Sequence, residues 1–292
     1  MKRLVFALCL CASLQVGAAE IKISGDSSNT ILWISGEITP GLYRQVVSKI
    51  QEGRKFPDRV LISSPGGNVE EAMKLGNLFR DAFTLVIPNG ECSSACAAIV
   101  FSSRTYIADE AVIGLHRPYF SPDTYSSLSV NEAKKLQQSI EDRLSAYLRN
   151  MGVRDRIIER ALSRSSADIW NITMQEFVDF NGQPSHIQEW LLAQCPPLTK
   201  VELSAIEHLL AYDSFLHFVE DCPEYLETGH FGNGGGACGW ARYYHSGYLE
   251  GLKLGAEGRA EIKQRSQDAM TCQDDAVSRA RQEFLEATRF FD

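Results

Sequence analysis

Between residues 20 and about 190, short apolar runs alternate with stretches of helical period, and this alternation limits the possible folds more than any other feature. Thr30–Ser35, Arg59–Ser63 and Thr84–Ile87 read as buried strands. Between and after them, helices are predicted near Pro40–Gln51, over Val69–Arg80 with Ala72, Leu75, Gly76 and Phe79 on one face, and over the short apolar Ser93–Phe101. Arg104–Leu115 supplies one or two further strands. Such alternation indicates an α/β domain, because parallel strands need a crossover, usually a helix. The 44% hydrophobic and 23% charged content fits a globular chain and excludes wholesale disorder. A net charge of −8 argues against nucleic-acid binding, which needs clustered Lys and Arg.

The first residues read as an address. Met1-Lys2-Arg3 precedes the apolar run Leu4–Leu14, and small residues lead to Ala19, the expected cleavage site. The run is too short for a membrane span of roughly 20 residues, so a periplasmic or secreted protein with no stable span after cleavage is expected. Setting aside Cys9 and Cys11 leaves Cys92, Cys96, Cys195, Cys222, Cys238 and Cys272. An even set in an exported chain points to disulfides, at least two of them and one within the tail, although spacing alone does not choose the pairs. Cys222 with Cys272 is the favoured tail pair.

Val130–Met151 carries a long amphipathic pattern and Arg154–Leu162 a shorter one. Pro196-Pro197 marks a boundary, because tandem prolines cannot continue a helix. The expected domains are therefore a signal peptide at 1–19, an α/β domain at 20–195 and a small disulfide-pinned helical module at 196–292. In that module Val201–Val219 and Arg259–Phe291 read as helices, and Trp240, Tyr243, Tyr244 and Tyr248 as its small core. His230, Cys238 and His245 read as loop histidines and a disulfide cysteine rather than metal ligands. No metal or other cofactor is expected. Asn171-Ile-Thr173 matches a glycosylation acceptor.

Three local features suggest chemistry. Ser64-Pro-Gly-Gly67 follows a buried strand and precedes a helix, where glycines allow close backbone approach and leave N–H groups free. Gly90-Glu-Cys-Ser-Ser-Ala-Cys-Ala97 sets serines at a helix start, with Ser93 in the N-cap role and Ser94 one step inside. His116 ends an apolar strand, before Arg117 and Pro118.

In this order, over roughly residues 29–185, these features resemble the proteolytic subunit of the Clp protease and its exported relatives within the crotonase-like superfamily. The matches are Ser64–Gly67, the spacing of Gly90, Ser94 and Ala97, and His116-Arg117-Pro118. Ile34–Ile38 looks like the family's opening strand and turn, and Val130–Met151 like its protruding helix. The resemblance implies repeated ββα units, with Ser94 as nucleophile, His116 as general base and Asp168 as the third member, Asn171 being its substitute. The N–H groups of Gly67 and Ala95 would form the oxyanion hole. It implies an ATP-independent serine peptidase acting on peptides or unfolded proteins, with a homo-oligomer left open. A catalytically inactive scaffold binding peptides or a partner through the same groove is the alternative, and a tail-centred binding function is a third.

Overall fold

The structure, a computed structural model, describes residues 19–25, 29–103, 111–172, 185–231 and 236–291. Residues 1–18 of the proposed signal peptide, the start of the run from Arg104, and Thr173 lie outside them. The chain forms two compact units: one extends to Ser185 and also takes in Ala280–Asp292, and the other is His186–Arg279.

The first unit is mixed α/β around a six-stranded sheet. Strands β1 (Glu20–Gly25), β2 (Thr30–Ser35), β3 (Arg59–Ser64), β4 (Leu85–Ser93), β5 (Val112–Leu115) and β6 (Trp170–Ile172) lie in sequence order across it. β2 to β5 run parallel, while β1 and β6 are antiparallel at the two edges. Leu32, Ile34, Val60, Ile62 and Val86 are buried on the sheet, following the two-residue period of a strand.

Helices α1 (Leu42–Gly53), α2 (Val69–Asp81) and α3 (Ala95–Val100) make the crossovers between the parallel strands. α1 buries Leu42, Val46 and Ile50, spaced four apart on one face. α2 is capped by Asn68, whose Oδ1 accepts from the Glu71 N–H at 3.0 Å. After β5 come α4 (Pro122–Tyr125), α5 (Val130–Asn150) and α6 (Asp155–Leu162). A Ser129–Glu132 capping box starts α5, and Tyr147 from this helix donates to the Ala98 carbonyl at 2.8 Å.

The second unit holds α7 (Ser185–Gln194), α8 (Lys200–Val219), α9 (Pro223–Thr228), α10 (Ala237–Lys253) and most of α11 (Gly255–Ala287), and α8, α9 and α10 build a small aromatic core. Phe215 is its centre, stacked on Tyr248 with ring centroids 4.1 Å apart. Tyr244 and Tyr248 pack there as the sequence suggests, but Tyr243 and Trp240 stand largely exposed. Tyr243 lies off the face shared by Tyr244 and Tyr248, whereas Trp240, four residues before Tyr244, stacks on Phe218 and Tyr244 while keeping about half its surface exposed.

Three disulfides form: Cys92–Cys96, Cys195–Cys272 and Cys222–Cys238. The tail pairing expected from sequence, Cys222 with Cys272, is therefore incorrect. Cys222 meets Cys238 where α9 and α10 begin, and Cys272 on α11 meets Cys195 at the end of α7. The second unit begins at His186, before the tandem prolines at which the sequence places the boundary.

The return of Ala280–Asp292 to the first unit also departs from the sequence expectation. Arg281 Nη1 donates to Asp58 Oδ1 at 2.9 Å, and Nη2 to the carbonyls of Phe56, at 2.9 Å, and Pro57. Phe290 packs edge-on against Phe56, and its carbonyl accepts from Gln51 at 2.9 Å. Burial pushes the Asp58 carboxyl up, but the Thr30 N–H and the Arg281 guanidinium outweigh it and hold the group below the usual carboxylate range. Among the described residues no helix is long and apolar enough to cross a membrane.

Candidate functional site

Because β3, β4 and β5 are parallel, their carboxyl ends lie at one edge of the sheet, the usual place for ligands in open α/β sheets. The three features singled out from sequence follow these ends. Gly66 and Gly67 come after β3, Ser94 after β4 and His116 after β5.

The Ser64–Gly67 turn is held by its own hydrogen bonds. Gly66 N donates to Ser64 Oγ at 3.1 Å, Ile38 N to the Gly66 carbonyl at 2.8 Å, and Asn68 N to the Ile38 carbonyl at 2.7 Å. Gly66 and Gly67 have φ of 109° and 131°, in the region favouring glycine. A Cβ on Gly67 would lie 2.3 Å from the Ile38 carbonyl oxygen. The bridge to Ile38 uses Gly66 O and Asn68 N, so the Gly67 N–H has no backbone partner among the described residues.

Ser94 occupies the junction between β4 and α3, with φ 59° and ψ −123°. That conformation is costly for a residue with a side chain, roughly 1–3 kcal/mol, and such strain clusters at functional sites. It belongs to a sharp strand-to-helix turn of the kind that presents a nucleophile above a sheet. Ser94 N donates to the Gly114 carbonyl at 2.8 Å, while its side chain makes no capping bond. The sequence expectation that Ser93 caps the helix is corrected here. Ser93 pairs with Gly114 as the last residue of β4, and its Oγ donates to Glu91 Oε1 at 3.1 Å. Strand pairing thus continues one residue beyond the point suggested by sequence. The helix then begins at Ala95, whose N–H, being in the first turn, has no partner within α3.

His116 is 8% exposed, and its Nδ1 lies 2.7 Å from the Arg117 carbonyl oxygen. A carbonyl can only accept, so this contact keeps the proton of the neutral ring on Nδ1 and leaves the Nε2 lone pair free. Arg117 is itself anchored, its N–H donating to the Arg164 carbonyl at 3.0 Å.

Asp168 is placed differently from the sequence expectation. Its Oδ2 accepts from Arg164 Nη1 at 2.7 Å, its side chain is 60% exposed, and among the described residues no hydrogen bond joins it to His116. The turn after α6 closes on itself, with Asp168 N donating to the Ser165 carbonyl, and directs the carboxylate to Arg164. Asn171, the substitute, is exposed on β6 and lies opposite Gly114 in the strand register.

Ser94, His116, Gly66 and Gly67 line one open cleft of about 440 Å³, with Tyr119 at its rim. Ser94 and His116 also line a second, small and mostly apolar cavity of about 30 Å³, whose wall includes Ala95, Leu144, Leu148 and Ile158. A third hollow, with the Glu70–Arg143 ion pair at its edge, shares Gly67 and Tyr119 with the cleft. The sequence offers no signal for Arg117 as the partner of His116, because the contact uses its backbone. Leu144 and Leu148 are legible as a helix stripe but not as a cavity wall. The chain matches no protein-family model and none of the curated proteins at a significant level.

Proposed function

We propose that the chain is an exported, ATP-independent serine peptidase related to the Clp proteolytic subunit, with Ser94 as nucleophile and His116 as base. The carrying observation is the strained turn that presents Ser94 to the cleft also lined by His116. In this reading Ser94 Oγ attacks the peptide carbonyl carbon while His116 Nε2 takes the hydroxyl proton. The carbonyl oxygen becomes an oxyanion facing the N–H groups of Gly67 and Ala95. His116 then protonates the leaving amine, and water hydrolyses the resulting ester by the same route. The Arg117 carbonyl holds the imidazole tautomer, the role that the family resemblance gives to Asp168.

The small apolar cavity beside Ser94 supports a substrate with a small apolar side chain just before the cleaved bond. The adjoining hollow beside Gly67 provides room for an extended peptide or an unfolded segment. Three disulfides support an oxidising compartment, periplasmic or extracellular. The reading also carries the finer fold expectation of repeated ββα units. Labelling of the full chain by a fluorophosphonate tests it: the probe should mark Ser94 and fail to mark Ser94→Ala. An inactive peptide-binding scaffold is favoured by one observation, the pairing of Asp168 with Arg164, which leaves His116 without that carboxylate. A folded protein that binds apolar peptides but resists the probe would establish that alternative.

A further inference from the structure

Cys92 and Cys96 lie symmetrically about Ser94 and are bonded to each other. Both are 0% exposed. Cys92 belongs to β4 and is fixed in the sheet by its register with Ser64 on one side and Ile113 on the other. Cys96 is the second residue of α3. The bond therefore ties an anchored strand to the first turn of a short helix across the residue in a strained conformation. α3 has only 6 residues and no side-chain cap at its start. A helix that short is not stable by itself and takes its position from what holds it. Of the three disulfides this one has a sequence separation of 4, against 16 and 77 for the others. It thus removes the least freedom from the unfolded chain, which makes a purely stabilising role its weakest explanation.

Resting on the peptidase reading, we propose that the Cys92–Cys96 disulfide is a positioning element for Ser94, so that the nucleophile is competent only when this bond is oxidised. With the bond intact, the Cα atoms of Cys92 and Cys96 stay 5.1 Å apart and the chain between them keeps Ser94 turned into the cleft. Reduction by a dithiol transfers two electrons and two protons to the S–S bond, giving two thiols and the oxidised reductant. The turn can then relax, moving Oγ away from His116. Within the wall of the apolar cavity, Leu144, Leu148, Ile158, Ala161 and Leu162 on α5 and α6 lie outside the bonded turn and should continue to bind substrate.

The test uses the full chain and three proteins: wild type, Cys92→Ala/Cys96→Ala, and Cys195→Ala/Cys272→Ala. Fluorophosphonate labelling of Ser94 is followed together with kcat and KM on a peptide anilide carrying Ala before the cleaved bond. The first double variant should lose at least about tenfold in labelling rate and kcat with KM nearly unchanged, a split that general loosening of the fold would not produce. The second should label at the wild-type rate. If wild type itself is not labelled, the peptidase reading falls and this inference with it. If wild type is labelled and a folded Cys92→Ala/Cys96→Ala protein matches it, the peptidase reading stands and the positioning role is overturned.

Should that variant fail to fold, wild type is titrated with a dithiol while mass spectrometry follows each disulfide. Loss of labelling must then track the Cys92–Cys96 bond and return on reoxidation. Labelling that tracks another pair, or none, overturns the proposal.

Discussion

Gly66 packs directly beneath Ser94: a Cβ at position 66 would lie 2.6 Å from Ser94 Cβ and 3.2 Å from its Oγ. The second glycine of the turn is therefore matched by the first, one facing Ile38 and the other facing the candidate nucleophile.

Gly66→Ala should displace Ser94 and also strain a backbone held at φ 109°. Labelling by a fluorophosphonate should fall about 10²-fold, the scale of a misplacement of about 1 Å. A folded Gly66→Ala protein labelled at the wild-type rate would contradict this contact.

Ser94→Ala should abolish peptide hydrolysis with little change in melting temperature. Ser93→Ala should behave differently, costing about 1 kcal/mol or less through its lost bond to Glu91 while nearly preserving labelling. Activity assays normalised to folded protein separate the two. The reverse pattern would place the nucleophile at Ser93.

His116→Ala should be as inactive as Ser94→Ala, and the double variant no worse than either, because the two act as a unit. Asp168→Ala should retain nearly full activity. Its exposed pair with Arg164 contributes only about 0–1 kcal/mol to stability. Loss of activity in Asp168→Ala at unchanged stability would restore the carboxylate to the mechanism.

In the second unit, the Thr199 N–H, then Arg265 and the Thr199 hydroxyl, hold the Glu202 carboxyl down at about 2 instead of 4.5. A lowered folded-state pKa stabilises fully above the unfolded value and loses that contribution as pH falls through the folded one. Melting of wild type and Glu202→Gln should therefore differ most above pH 4.5, and the gap should close toward pH 2. A gap that widens on acidification would reverse the assigned sign.

Arg281→Ala should destabilise the first unit by about 2 kcal/mol, since Asp58 and the Phe56 and Pro57 carbonyls lose a charged donor, although Asp58 keeps the Thr30 N–H. Truncation before Ala280 should cost more, because the Phe290–Phe56 contact is lost as well. Urea unfolding measures both. Equal stability of the truncated and full chains would contradict the docking of this segment.

The α/β class and the meeting of Gly67, Ser94 and His116 were legible because each depends on local pattern and strand order. Apolar runs fix β2, β3 and β4, and parallel strands bring their following residues to one edge. The features that escaped depend on long-range packing or on backbone atoms. The Arg117 carbonyl is chemically the same as every other carbonyl in the sequence, so only the fold distinguishes it. Asp168 had a suitable position along the chain, but spacing does not show that its turn closes toward Arg164. The pairing of Cys222 with Cys238 follows from where α9 and α10 begin, and the destination of Phe290 from the location of Phe56. Neither is a property of the local residues.

The contact between Gln51 and Phe290 spans a sequence separation of 239. A growing polypeptide emerges amino end first, and domains usually fold as they appear. The second unit, contiguous from His186 to Arg279, can form as soon as it is made, whereas the first must wait for its closing segment. The strands and turns carrying Ser94 and His116 are therefore synthesised early but gain their last support late. As the chain emerges, the sheet edge that carries Ser94 and His116 stays incomplete until the last residues of its own unit arrive.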